Sequence, residues 1–215
     1  MHFYLVKTPN FIQSLFKDLV WSFTDTEKKL YLTFDDGPTP EITHFILAEL
    51  KKINAKATFF CVGGNIEKHP TIFQQILNDG HSVGNHTFNH LNGWKTSSSL
   101  YLKNIENSEK YFNEKSKFKI QNSKLFRPPY GKITLSQVKK LRTQGYQIIM
   151  WDVLSGDFDV DISKEQALNN ILKNTENGSI IVMHDHQKAF KNLAYCLPKI
   201  LDYYSNLGFT FEKIT

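Results

Sequence analysis

From residue 29 onward the chain alternates between two hydrophobic rhythms. Short runs rich in β-branched and aromatic residues occur as LYLTF (30–34), ATFFCV (57–62), SVGNH (82–86), LFR (125–127), QIIMW (147–151), IIVMH (180–184) and FTFEK (209–213). Each reads as a strand. Between them, apolar residues fall at helical spacing over Pro40 to Ile53, Thr71 to Asp79, Ser98 to Glu114, Leu135 to Gln144, Ser163 to Glu176 and Lys188 to Ser205. Ser163 with Gln166 forms a capping box, and Gly80, Gly145 and Gly208 stand where helices end.

Seven strands with helical crossovers, and no Gly/Ser/Pro-rich linker, describe one α/β domain. Such a pattern suits an open doubly wound sheet or a closed TIM-like barrel. No G-x-G-x-x-G or P-loop follows any strand, which removes the main sequence reason for the open sheet. The barrel is the expected fold.

Residues 1–28 precede this alternation. Phe11, Ile12, Leu15, Phe16, Leu19 and Val20 fall at helical spacing, so an extension packed on a barrel over 29–215 is expected. The opening MHFYLVKTPNFIQSLFKDLVWSF is interrupted by Lys7 and Asp18, lacks a small-x-small cleavage site, and is too short and polar to span a membrane. A cytoplasmic location is the default expectation.

Composition narrows the class without changing the fold. The 215 residues are 40% hydrophobic and 13% aromatic, enough for a sizeable core. The net charge of +5 is scattered among acidic residues, with no basic arm for nucleic acid, and a monomer is the default. Cys61 and Cys196 are the only cysteines; they fit no disulfide framework or near-neighbour metal spacing and are expected as buried thiols.

In barrels the active site forms at the carboxyl ends of the strands. Here those ends deliver DDGP after the first strand, HTFNH at the third, RPPYG at the fourth, DVLSGDFD after the fifth and HDH at the sixth. His86 and His90, at i and i+4, can reach one metal, although alone such a pair is equally two surface histidines. Asp36 completes a two-histidine, one-carboxylate set with open positions, which suits a catalytic divalent metal. Adjacent Asp35 is then free to take a proton from water. Arg127 needs an acceptor if buried, and Asp35 would serve. The stiff Pro128-Pro129-Tyr130-Gly131 loop is suited to presenting a backbone N–H toward developing negative charge. His184 paired with Asp157 would hold a proton near neutrality, as a general acid must, while His186 reads as a bystander. Trp94, Tyr130 and Phe158 lie at rim loops where they can stack on a substrate; Trp151 reads as core.

These blocks, in this order, closely resemble the polysaccharide deacetylase family, also called the NodB-homology or carbohydrate esterase family 4 domain. TFDDG (33–37), HTFNH (86–90), RPPYG (127–131), GDF (156–158) and VMHD (182–185) correspond to its five motifs, and the likeness runs from about Lys29 to the chain end. The resemblance implies an α/β, distorted TIM-like (β/α)7 barrel that removes N-acetyl, sometimes O-acetyl, groups from carbohydrate. It implies Asp35 as base, Asp36, His86 and His90 as metal ligands, and Arg127 as the residue orienting the base. Tyr130 would give the oxyanion N–H, with His184 as acid and Asp157 supporting it. Zinc is the implied metal, with cobalt, nickel or manganese as alternatives. The implied partner is an acetylated amino-sugar polymer such as peptidoglycan or chitin, which points to the cell envelope. Three motif positions depart from the family: Phe158 stands where Trp is usual, Leu154 where an acidic residue is usual, and Val182 where Leu is common. The alternatives are an O-acetyl esterase, a non-sugar amide hydrolase and a non-catalytic carbohydrate-binding barrel. The last would show a damaged base or ligand set.

Overall fold

Alternation along each strand decides what faces the barrel interior, and the computed structural model, which describes residues 4–24, 26–115 and 124–215, shows the outcome. The chain runs α1 (Asn10–Leu15), β1 (Lys29–Asp35), α2 (Ile42–Lys52), β2 (Thr58–Cys61), α3 (Gly63–Lys68), α4 (Pro70–Asn78), β3 (Ser82–Asn85) and α5 (Ser98–Lys115). It continues through β4 (Lys124–Phe126), α6 (Leu135–Thr143), β5 (Tyr146–Ile148), β6 (Val153–Leu154), α7 (Lys164–Leu172), β7 (Ile180–His184), α8 (Phe190–Asn206) and β8 (Thr210–Phe211). The strands are parallel in the order β5-β4-β3-β2-β1-β7-β6, curling into a barrel-like sheet, with β8 beside the start of β1.

The membership of the seven-stranded path differs in one place from the sequence reading. FTFEK shortens to Thr210–Phe211 and lies off the path, whereas β6 takes the seventh place. Two residues are too few to display a period of two, so β6 has no hydrophobic signature of its own. The helices agree with their expected ranges to within two residues except α7, which ends at Leu172 instead of near Glu176. Short α3 carried no recognisable periodicity. The Ser163–Gln166 capping box is present in both directions, and a second joins Thr134 and Gln137.

One face of each strand packs outward. Leu30, Leu32, Phe34, Phe59, Cys61, Ile181 and Met183 join the core formed with α2, α4, α7 and α8. The opposite face of the same strands supplies Tyr31, Phe60, Leu125 and Ile180, which meet Ile149 and Ile214 in the interior. Cys61 and Cys196 are buried free thiols.

The N-terminal segment lies against both ends of the strand order. Val20 donates to the Ile148 carbonyl and accepts from the Met150 N–H, at 2.9 and 2.7 Å, while the Val6 carbonyl accepts from Leu154 at 2.8 Å. The Lys7 ammonium reaches the nearly buried Asp152 carboxylate at 2.8 Å. The attachment is made by these extended residues; α1 buries none of its side chains, and Phe11 and Leu15 face solvent. Among the described residues no helix is long and apolar enough to cross a membrane.

Because Ser163 accepts from the Gln166 N–H at 3.1 Å while Gln166 reaches back to the Ser163 N–H at 2.8 Å, Ser163→Ala removes half of the cap. Urea denaturation is expected to show a loss of about 1 kcal/mol with an unchanged m-value.

Candidate active site

The inward face of β1 reads Tyr31, Thr33, Asp35, so strand period alone carries Asp35 into the interior at the carboxyl end. Leu125 and Arg127 face inward from the next rim position in the same way. Arg127 is fully buried, and each of its three guanidinium nitrogens has an acceptor. Nη1 donates to Asp35 Oδ1 at 2.8 Å and to the Thr33 hydroxyl at 2.6 Å; Nη2 donates to the Met150 carbonyl at 2.8 Å and Nε to that of Ile149 at 3.2 Å. The guanidinium carbon also lies 4.1 Å from the Phe60 ring centroid. Asp35 is thus a buried carboxylate held by one charge-assisted bond, with its second oxygen not used by that bond.

Asp36 turns away from its neighbour because its backbone is left-handed, with φ 86°. Its Oδ1 lies 3.1 Å from His90 Nε2 and 3.6 Å from His86 Nε2. Burial opposes ionisation of Asp36, but the adjacent His90 and the positive charge that His184, His86 and His90 can carry outweigh it, so its pKa is lowered. His86 is pushed down to about 4, chiefly by burial, and is neutral at pH 7. Its Nδ1 stands 2.8 Å from the Arg127 carbonyl, which can only accept. Nδ1 therefore carries the proton and Nε2 offers a lone pair toward Asp36.

These three residues fit a divalent cation. One donor atom from each lies within 4.8 Å of the others, and Asp36 Oδ1 is buried without a hydrogen-bond partner. Two imidazole nitrogens and one carboxylate, with further positions open, form a donor set suited to zinc and to neighbouring transition metals.

Across β1, the last residue of β7 is His184, in register with Asp35. Asp157, wholly buried in the loop after β6, accepts from His184 Nδ1 at 2.7 Å and from its backbone N–H at 2.8 Å. The Ser155 hydroxyl donates to the same carboxylate at 2.9 Å. Burial pulls the imidazole's pKa down, and the charge and hydrogen bond of Asp157 more than offset this, leaving it raised to about 9. Phe158 meets the His184 ring edge-on, centroids 5.0 Å apart, and leans on Tyr4 at 5.4 Å.

Asp35, Asp36, His86, His90, Arg127, Tyr130, Asp157 and His184 therefore come together at one rim. Trp94 sits on a short 3-10 turn over Gly93–Lys95, 65% exposed, its indole N–H donating to the Ile133 carbonyl at 3.0 Å. Trp151 is half-buried, with Gly131 packed close over its ring. One residue of the site escaped the sequence reading. Asp185 accepts from the Gly37 N–H and the Thr43 hydroxyl, both at 2.7 Å, and burial raises its pKa to about 8. The carboxylate lies so close over Gly37 that no Cβ fits there, which accounts for the glycine after the two aspartates. Its only sequence signal was its place in VMHD, directly after His184.

With this geometry described, the comparisons with known proteins place the chain. Residues 23–149 match the polysaccharide deacetylase family, and the chain belongs to it. A peptidoglycan-N-acetylglucosamine deacetylase of Bacillus cereus is 32% identical over 198 residues, 92% of this chain and 91% of that protein. A chitooligosaccharide deacetylase of Azorhizobium caulinodans is 32% identical over 162 residues, 75% of this chain and 76% of the other. The crystal structure of the Bc1960 peptidoglycan N-acetylglucosamine deacetylase, in complex with 4-naphthalen-1-yl-N-oxidanyl-benzamide, superposes with a TM-score of 0.87 at 34% identity, covering 96% of this chain and 95% of that one.

Gly37→Ala forces its new methyl against the Asp185 carboxylate. The variant is expected to unfold about 1–3 kcal/mol more easily in urea, and to bind zinc more weakly because the turn carrying Asp36 must shift.

Proposed function

We propose that the chain is a divalent-metal-dependent hydrolase that removes the acetyl group from N-acetylated amino sugars of a glycan chain, giving acetate and a free amine. Residues 29–215 form the catalytic unit, and residues 1–28 are an extension packed on it. The observation that carries the reading is the opposite fate of two adjacent carboxylates. Asp35 is tied to buried Arg127, whereas Asp36 faces two imidazole nitrogens with an unpartnered oxygen.

Asp36, His86 and His90 would hold the cation, with zinc the first choice from the donor set and cobalt, nickel and manganese able to use the same ligands. A bound divalent ion supplies Lewis acidity, which polarises the acetyl carbonyl and makes water a better nucleophile near pH 7. Asp35 accepts a proton from the attacking water, and Arg127 keeps its carboxylate aimed. The Tyr130 N–H, in a left-handed residue with φ 62° between Pro129 and Gly131, is the donor for the developing oxyanion. His184, protonated through Asp157, delivers its proton to the leaving nitrogen as the C–N bond breaks, so that water contributes OH to the acetyl carbon and H to the amine. Phe158 walls the His184 side, and exposed Trp94 offers a flat apolar face to a sugar ring. The peptidoglycan-N-acetylglucosamine and chitooligosaccharide deacetylases similar to this chain support a peptidoglycan- or chitin-like glycan as the substrate class.

Acetate release from N-acetylglucosamine oligomers, peptidoglycan fragments and O-acetylated xylan tests the assignment. Release from the N-acetyl sugars is expected, falling about 10²–10⁴-fold in Asp35→Asn with zinc still bound. Asp36→Asn is expected to lose the metal together with activity. Wild type that binds zinc but leaves every glycan intact would exclude a carbohydrate substrate and favour a non-sugar amide.

The acid carries its own pH signature. His184 is raised from 6.5 to about 9, so its pairing favours the folded state fully below pH 6.5, and that contribution is lost as pH rises through about 9. Turnover is likewise expected to fall above about pH 9. Asp157→Asn removes the counter-charge, and its alkaline limb is expected at lower pH than in wild type.

A further inference from the structure

Two imidazoles face Asp36, and the loop after β4 stands behind both. Behind His86 is the Arg127 carbonyl, 2.8 Å from Nδ1. Behind His90 is the Tyr130 phenol, its oxygen 3.0 Å from Nδ1. The His90 and Tyr130 rings meet edge-on, centroids 4.6 Å apart and planes at 63°. Each of these two residues also holds a left-handed backbone, φ 55° at His90 and 62° at Tyr130, a conformation that bulky side chains seldom adopt and that persists only where surrounding contacts impose it. Tyr130 is 60% exposed, so burial does not explain why its side chain is ordered against the histidine.

We propose that the Tyr130 side chain, in addition to any role of its backbone N–H, is a positioning residue for His90. Resting on the metal-site reading above, the assignment has the phenol oxygen accept the Nδ1–H of His90, which leaves the Nε2 lone pair directed at the position shared with Asp36 Oδ1, 3.1 Å away. His86 obtains the same orientation from a main-chain carbonyl that no substitution at residue 127 deletes. His90 depends on a hydroxyl that one substitution does. The two ligands are thus oriented by one short loop, and only one of the two restraints is a side chain. The hydroxyl can accept as well as donate, so it also suits His90 before a cation is present.

Zinc affinity measured by competition with a chromophoric chelator tests this in Tyr130→Phe, which retains the ring and loses only the hydroxyl. The variant is expected to bind zinc about tenfold or more weakly than wild type, in line with the loss of a partner that orients a ligand, while its far-ultraviolet circular dichroism and its metal-free Tm stay unchanged. Equal affinity in the two proteins would overturn the proposal and leave the Asp36–His86–His90 site intact. Wild type that binds no zinc would overturn both. If Tyr130→Phe does not fold, histidine side-chain NMR of the zinc-loaded wild type decides. A slowly exchanging Nδ1–H at His90 is expected, and rapid exchange with solvent would overturn the assignment.

Discussion

Arg127 is a fully buried cation, and the geometry of the rim follows from the need to satisfy it. An uncompensated guanidinium in the interior would cost several kcal/mol, so every N–H it presents must find an acceptor of good geometry. Those acceptors come from β1, through Thr33 and Asp35, and from the stretch after β5, through the carbonyls of Ile149 and Met150. Phe60 on β2 closes the remaining face. One side chain therefore ties β4 to β1, β2 and the stretch after β5 at the end where the chemistry collects. Its own carbonyl then orients His86. A change in the angle of this residue would be felt by Asp35 and His86 together.

The site also shows how much environment, and how little residue type, decides protonation. His86 and His184 are both buried imidazoles on the same rim, and burial disfavours the charged form of each. His86 faces a neutral carbonyl through Nδ1 and stays uncharged. His184 faces a wholly buried carboxylate through the same atom and stays charged. Asp185, by contrast, is a buried carboxylate with neutral donors, and burial first, then the charges of Asp36 and Asp35, favour its protonated form.

Most of this was legible in the sequence because barrel strands end where catalytic residues stand, and because five motifs in one order are far more specific than any single pair. Asp35, Arg127 and His184 each close an apolar run, so their inward placement follows from strand period. Four features were not legible. β6 is too short to carry a pattern, and α3 has no apolar stripe. Asp185 and the Tyr130 hydroxyl act through contacts between distant chain segments, for which no local spacing exists. The exposure of α1 was hidden for the opposite reason: its apolar residues have helical spacing, yet the neighbouring extended residues make the attachment.

The strap formed by residues 6–22 has a consequence for how the molecule assembles. Its partners lie near residues 148–154 and 179, so Lys7 and Asp152 are 145 positions apart. Contacts of such sequence separation close late, because the entropy of a long loop is lost before the contact repays it. Residues 6–22 can find their place only once residues 148–154 and 179 are available to pair with them. β6 leads directly into the loop that carries Asp157, so the strap that pairs with β6 also braces the start of the loop whose carboxylate holds His184.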